Sequence, residues 1–296
     1  MMAVFDEVPW TSVVCVVSTQ LVLLATLYPF LGKRSRPDVA ATLAKRKCET
    51  WFLQYAVFWV VCFTLIIGLQ LFEAMGKWSY LGVCGGLAAP LLLQPIIAPA
   101  ITGEAGVPLL QRHCTKANCW LAIYSFLGNY WGTHYFYCVL GARYTLLFLP
   151  DHQLNGVALC MYFATHFYFA LYHALGNRLL RWARESFEPS FVRSLFVISL
   201  ICVAAYVVAF METLSIAAFP YYTFDDRQMM YSVGSAFYGV YLVISFPMYA
   251  RLDEVPNAPP HTLMQTCLES LGSWMIIMCL LDFLRLSLGI EFRMAP

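Results

Sequence analysis

Eight apolar runs, each close to the roughly 20 residues a helix needs to cross a bilayer, fill most of this chain: 11–31, 51–72, 79–102, 118–140, 156–180, 192–219, 231–250 and 266–289. Backbone inside lipid has to satisfy its own hydrogen bonds. The runs lack the period-two alternation of barrel strands, so helices are the spanning element. Only 12% of the residues are charged and 60% are hydrophobic, against about 25% charged in soluble domains. The expected fold is all-α, a polytopic membrane bundle of about eight transmembrane helices with the lipid bilayer as its solvent.

Charge placement orients the bundle. Lys33, Arg34, Arg36, Lys45, Arg46 and Lys47 fall in the first loop, Arg112 and Lys116 in the third, Arg178, Arg181, Arg184 and Arg193 in the fifth and Arg251 in the seventh, which is 13 of the 18 basic residues. Lys77, Arg143, Arg227 and Arg293 fall on the other side and Arg285 inside a span. The positive-inside rule then puts the first loop in the cytosol and both termini in the lumen. A net charge of +1 gives no field that would draw nucleic acid. The acidic start MMAVFDEVPW does not read as a cleaved signal. Eleven cysteines at irregular spacing are no disulfide framework. His113, Cys114 and Cys119 lack the paired spacing of a zinc site, so no metal is expected.

Against this apolar background a few polar groups stand out. Glu212 sits in LFVISLICVAAYVVAFMETLSIAAFP, and an ionisable group at bilayer depth is a functional hypothesis by default. The segment NYWGTHYFY brings together Asn129, Tyr130, His134 and Tyr137, the last three on one helical face. In THFYFALYHALGN, His166, His173 and Asn177 share a stripe. Interhelical contacts are the other reading of both faces. The six histidines form none of the H-x3-H boxes of membrane di-iron oxygenases. Asp282 and Arg285, one turn apart, read as a structural pair, and Pro90, Pro95 and Pro99 as a bend in the third run.

Apolar walls, aromatic faces, a deep carboxyl and no metal box, nucleotide loop or nucleophile elbow suit acid–base work on a lipid. A carboxyl removed from water favours its neutral form, as a general acid must. Aromatic faces can steady a carbocation.

The segments GNYWGTHYFYCVLGARYT, ALYHALGN, METLSIAAFPYYTFDDRQMMYSVGSAFYGVYLVISFPMYARLDE and LDFLRLSLG resemble, in order, the cycloeucalenol cycloisomerase family, the cyclopropyl sterol isomerases. The likeness runs from about residue 45 to 290. It leaves 1–44 as an extra helix with a basic loop and 291–296 as a tail. Plant members carry Phe-Trp at Trp131-Gly132, Ser at Arg143, Glu at Thr223 and Val at Asp225, while Asp226 and Arg227 match.

The resemblance implies a multi-pass enzyme of the endoplasmic reticulum that opens the 9β,19-cyclopropane ring of cycloeucalenol to give obtusifoliol, without a cofactor. It implies protonation at C19, positive charge at C9 and loss of the C8 proton. Glu212 is the expected acid or counter-charge and His134 or His173 the proton acceptor, with Asp226 the alternative acid. Asn129, Tyr130, Tyr137, His166, Asn177, Tyr221 and Tyr222 are the expected substrate contacts. A Δ8–Δ7 sterol isomerase and a non-enzymatic sterol carrier remain alternatives, separable by their products.

Overall fold

A computed structural model of the protein describes residues 8–35, 41–217, 219 and 221–291; Arg36, Arg293 and the rest of the 292–296 tail lie outside the described residues. The chain folds into helices α1 (Trp10–Leu27), α2 (Leu43–Gly68), α3 (Lys77–Ile97), α4 (His113–Leu127), α5 (Thr133–Leu140), α6 (Leu159–Ser186), α7 (Phe191–Ala217), α8 (Ser235–Ala250) and α9 (Leu263–Ser287). Local chemistry sets several of the starts. The Thr42 hydroxyl caps α2 through the Lys45 amide, and Thr262 with Gln265 forms a reciprocal capping box on α9, meeting donors that a helix N-terminus leaves unpaired.

Among the described residues, six helices are long and apolar enough to cross a membrane: Trp10–Phe30, Leu43–Gly68, Lys77–Ile97, Phe191–Ile216, Arg227–Ala250 and Leu263–Ser287. The other two expected windows, 118–140 and 156–180, are helical but differ in kind. The first is α4 and α5 joined through a π turn over Gly128–Gly132. The second lies in α6, whose buried face carries His166, His173, Asn177 and Arg181. Both belong to the interior of the bundle, which is why they are less apolar than their neighbours. Helix α3 runs through Pro90 and Pro95, and Arg112 takes the Pro95 carbonyl.

Aromatic residues fill the centre. Trp120 stacks on Tyr124 at 5.0 Å, and Tyr124 and Tyr241 both pack on Trp274 at 5.2 and 5.0 Å. The Trp274 indole donates to the Tyr124 carbonyl at 2.7 Å. Helix α1 packs on α7, leaving Val14, Leu21, Val22 and Phe30 exposed, as suits a lipid-facing helix. Asp282 and Arg285 pair as the sequence suggests, at 2.9 Å from Nε.

Alternate loops meet at opposite ends of the bundle. At one end Arg181 bridges Glu49 and Glu254, with four bonds of 2.7–3.0 Å. Lys45 approaches Glu254 to 2.6 Å, and Lys116 and His113 approach Asp253 to 2.5 and 2.9 Å. The first, third, fifth and seventh loops, which carry most of the basic charge, are therefore tied together. Burial pushes the Asp253 carboxyl up, but the donors from His113, Lys116 and the His261 amide outweigh it and hold the group below the ordinary aspartate value. At the other end the two-residue strands β1 (Arg143–Tyr144) and β4 (Tyr222–Thr223) pair antiparallel, and β2 (Gln153–Leu154) pairs with β3 (Val157–Ala158).

Candidate functional site

A cavity of about 210 Å³ opens among α2, α3, α6, α7 and α8 and the π turn after α4. Its wall is mostly apolar and aromatic, including Phe63, Tyr80, Phe136, Tyr168, Phe169 and Tyr241. Tyr144 and Tyr222, opposed across the β1/β4 register and stacked at 4.6 Å, line it from the end away from the charge cluster. Burial pushes both phenols up.

Glu212 is the only carboxylic acid lining this cavity among the described residues, and no histidine, lysine or arginine lines it. The Tyr238 hydroxyl on α8 donates to Glu212 Oε2 at 2.8 Å, and the Tyr172 phenol on α6 lies near the same carboxyl. Glu212 lies toward the C-terminal end of its helix. With α7 ending at Ala217, a rise of 1.5 Å per residue puts Glu212 roughly 7–8 Å from the helix end. Partly buried and facing a cavity lined by rings, it has phenols for partners and no cation.

The π turn supplies the second polar element. An extra residue in a helical turn re-aims the side chains around it, and such turns recur at functional sites. Here it turns Asn129 and Thr133 to the cavity, with Thr165 of α6 beside them. At the turn's end Tyr241 and Trp274 close over Gly132: a Cβ there would lie 2.6 Å from the Tyr241 hydroxyl and 2.9 Å from the Trp274 ring.

Of the residues singled out in the sequence, the structure brings Glu212, Asn129 and Tyr222 to one cavity. The others lie elsewhere, each for a legible reason. His173 is fully buried, with Nδ1 on the Phe169 carbonyl at 2.8 Å and Nε2 on Ser245 Oγ at 2.9 Å. His166 pairs with Asn118 at 3.0 Å and Asn177 with Glu49 at 2.9 Å. The α6 stripe therefore faces neighbouring helices. His134 contacts the Asn155 carbonyl at 3.0 Å, the Tyr137 hydroxyl donates to the Gly156 carbonyl at 2.9 Å, and the Tyr130 carbonyl accepts from Asn155 Nδ2. That face grips the β2/β3 hairpin turn, where Asn155 and Gly156 both have positive φ. Asp226 is exposed and caps a helix start through the Met229 amide at 2.9 Å, an assignment its place ahead of a helical run already suggests. Tyr221 packs on Phe219 and Phe72 at 5.5 and 6.1 Å. Tyr172, Tyr238, Thr133 and Thr165 are cavity or carboxyl contacts that the sequence reading did not single out.

No family model matches the chain, and no solved structure matches it. A curated relative does: the cycloeucalenol cycloisomerase of Arabidopsis thaliana is 36% identical over 256 residues, spanning 85% of this chain and 89% of that protein.

Proposed function

Because the chain belongs to the cycloeucalenol cycloisomerase family, we propose that it is a membrane isomerase that opens the 9β,19-cyclopropane ring of a sterol such as cycloeucalenol, giving a Δ8 sterol of the obtusifoliol type. The observation that carries this reading is Glu212, the only carboxyl lining the aromatic cavity among the described residues, held by the Tyr238 hydroxyl with the Tyr172 phenol nearby.

In this reading the neutral Glu212 carboxyl gives its proton to C19 as the C9–C19 bond breaks, and the electrons of that bond form the new C19–H bond. Positive charge then develops at C9, where the rings of the wall stabilise it and exclude the water that would capture it. The C8–H electron pair closes the Δ8 double bond. Its proton passes to the Glu212 carboxylate, restoring the acid, so the reaction is a net isomerisation. Tyr238 and Tyr172 hold the carboxylate through the charged interval. The proton-accepting role expected of His134 or His173 moves to Glu212, since both imidazoles are engaged away from the cavity.

The same reading extends to topology. Helices α4 with α5 and α6 complete eight spans, with both termini lumenal and the protein resident in the endoplasmic reticulum. The meeting of the odd-numbered loops at one charged end supports it.

The test is conversion of cycloeucalenol by microsomes from cells expressing the chain. Wild type should form obtusifoliol, and Glu212→Gln should lose turnover while keeping wild-type yield and elution. Unchanged cycloeucalenol with folded wild-type protein rules the reading out, and a Δ7 product would favour the alternative isomerase.

A further inference from the structure

The polar patch around Asn129 has a donor–acceptor balance that selects its ligand. Asn129 is 3% exposed and lines the cavity. Its Nδ2 donates to the Ser125 carbonyl and to Thr165 Oγ1, both at 2.8 Å. A backbone carbonyl can only accept, which fixes the amide orientation. Both amide protons are thus committed, and Oδ1 receives no donor among the described residues. The two threonine hydroxyls that line the cavity beside it are committed too. Thr165 Oγ1 donates to the Met161 carbonyl at 3.0 Å and Thr133 Oγ1 to the Gly128 carbonyl at 3.3 Å. The Tyr241 hydroxyl has no partner among the described residues but is sealed off beside Gly132. What Asn129, Thr133 and Thr165 leave for a ligand is acceptor capacity.

An acceptor on the cavity wall with no protein donor gains a hydrogen bond from a ligand that brings a proton. We infer that Asn129 Oδ1, flanked by Thr133 and Thr165, accepts the hydrogen of the substrate's 3-hydroxyl and makes the cavity selective for a free sterol alcohol. This rests on the isomerase reading for the identity of the ligand and goes beyond it in assigning the hydroxyl end. A 3-ketone or a 3-methyl ether presents only lone pairs to these acceptors and is disfavoured. The anchor also fixes which way the ring system lies with respect to Glu212.

The test compares cycloeucalenol with its 3-ketone and its 3-O-methyl ether on the full-length protein in detergent, by ring opening and by ligand-induced thermal stabilisation. Wild type should favour the alcohol by at least about tenfold in kcat/KM, mainly through KM. Asn129→Ala should lose most of that preference. Thr165→Val frees one Asn129 amide proton, so it should shift preference toward the ketone, and this second variant serves if Asn129→Ala does not fold. Equal handling of the three sterols by wild type overturns the inference. So does a folded Asn129→Ala, or a Thr165→Val, with the wild-type ratio. Selective stabilisation by the alcohol without ring opening would keep the hydroxyl site and remove the isomerase reading.

Discussion

Arg181 offers the sharpest test of what holds the bundle together. It is 6% exposed, and its guanidinium bonds both oxygens of Glu49, at 2.7 and 2.8 Å, and both of Glu254, at 3.0 and 2.9 Å. Replacing it with methionine keeps an apolar stem of similar length and deletes the charge. Glu254 would retain Lys45 at 2.6 Å, but Glu49 would retain only the neutral amide of Asn177 at 2.9 Å. A buried charge stripped of its partner costs about 3–5 kcal/mol, or about two to nearly four powers of ten in the folded-to-unfolded ratio at RT ≈ 0.59 kcal/mol. The residual Lys45 contact argues for the lower half of that range. Glu49→Gln added to Arg181→Met removes the stranded carboxylate and should restore part of the loss, with a coupling of about 1–3 kcal/mol. The assay is reversible unfolding of mixed-micelle protein by sodium dodecyl sulfate, followed by near-ultraviolet circular dichroism for wild type, both single variants and the double. An Arg181→Met cost below about 1 kcal/mol, or costs that simply add, would refute the view that these carboxylates are ionised and mutually compensated.

Three further outcomes follow from the same geometry. Tyr238→Phe removes the 2.8 Å donor to Glu212; since a hydrogen bond to a charged group is worth about 1.5–3 kcal/mol, kcat should fall roughly 10- to 100-fold with KM little changed, and an unaltered kcat would remove Tyr238 from the mechanism. If one carboxyl both gives and takes the proton, deuterium at C8 of one sterol molecule should appear in the C19 methyl of the next, seen by mass spectrometry as crossover into a side-chain-labelled companion substrate; complete loss of deuterium to solvent would point to two separate groups. Asp253 and Glu254 both sit below their ordinary values of 3.8 and 4.5, burial raising each but their cationic partners prevailing; their contribution to stability is therefore full above those values and is lost as pH falls below them, so the thermal midpoint in detergent should drop below about pH 4, whereas Asp253→Asn should be less stable at neutral pH and show a shallower acid decline.

Run length and apolarity made the spanning helices legible, because the bilayer demands both. They could not separate lipid-facing helices from interior ones. Windows 118–140 and 156–180 pass as spans by length, yet α6 directs His166, His173, Asn177 and Arg181 inward. Glu212 was legible as an isolated acid. Its partners were not, because 18 tyrosines are scattered through the chain and only the approach of α6 and α8 to α7 selects Tyr172 and Tyr238. Of the face read as Tyr130, His134 and Tyr137, the side chains of His134 and Tyr137 meet a hairpin turn, while the Tyr130 ring, one π turn away, stacks on Phe126 and only its carbonyl reaches that turn. Asn129 reaches the cavity through a π turn, a departure from 3.6-residue periodicity that no local pattern announces. The Glu49–Arg181–Glu254 bridge joins positions 132 and 73 residues apart, beyond any spacing rule.

Buried Glu104 takes neutral donors from Thr102 and from the His113 and Cys114 amides away from the cavity, but the acids at the charged end and the acid in the cavity differ in a way that bears on chemistry. Glu49, Asp253 and Glu254 are matched by Arg181, Lys45, Lys116 and His113 within hydrogen-bond distance. Such a carboxylate keeps its charge, because releasing the cation would cost more than any proton it might carry is worth. It can hold helices together but is a poor acid. Among the described residues Glu212 has the neutral Tyr238 hydroxyl as its donor and no ion-pair partner; a phenol can donate to the carboxylate but does not neutralise it. Neither protonation state is locked by a permanent counter-charge, so the proton can leave and return while the phenols remain in place. A cation placed beside Glu212 would fix it as a carboxylate and repel the positive charge forming on the sterol. On this argument Tyr238→Lys should be far more damaging to turnover than Tyr238→Phe, even where it adds stability.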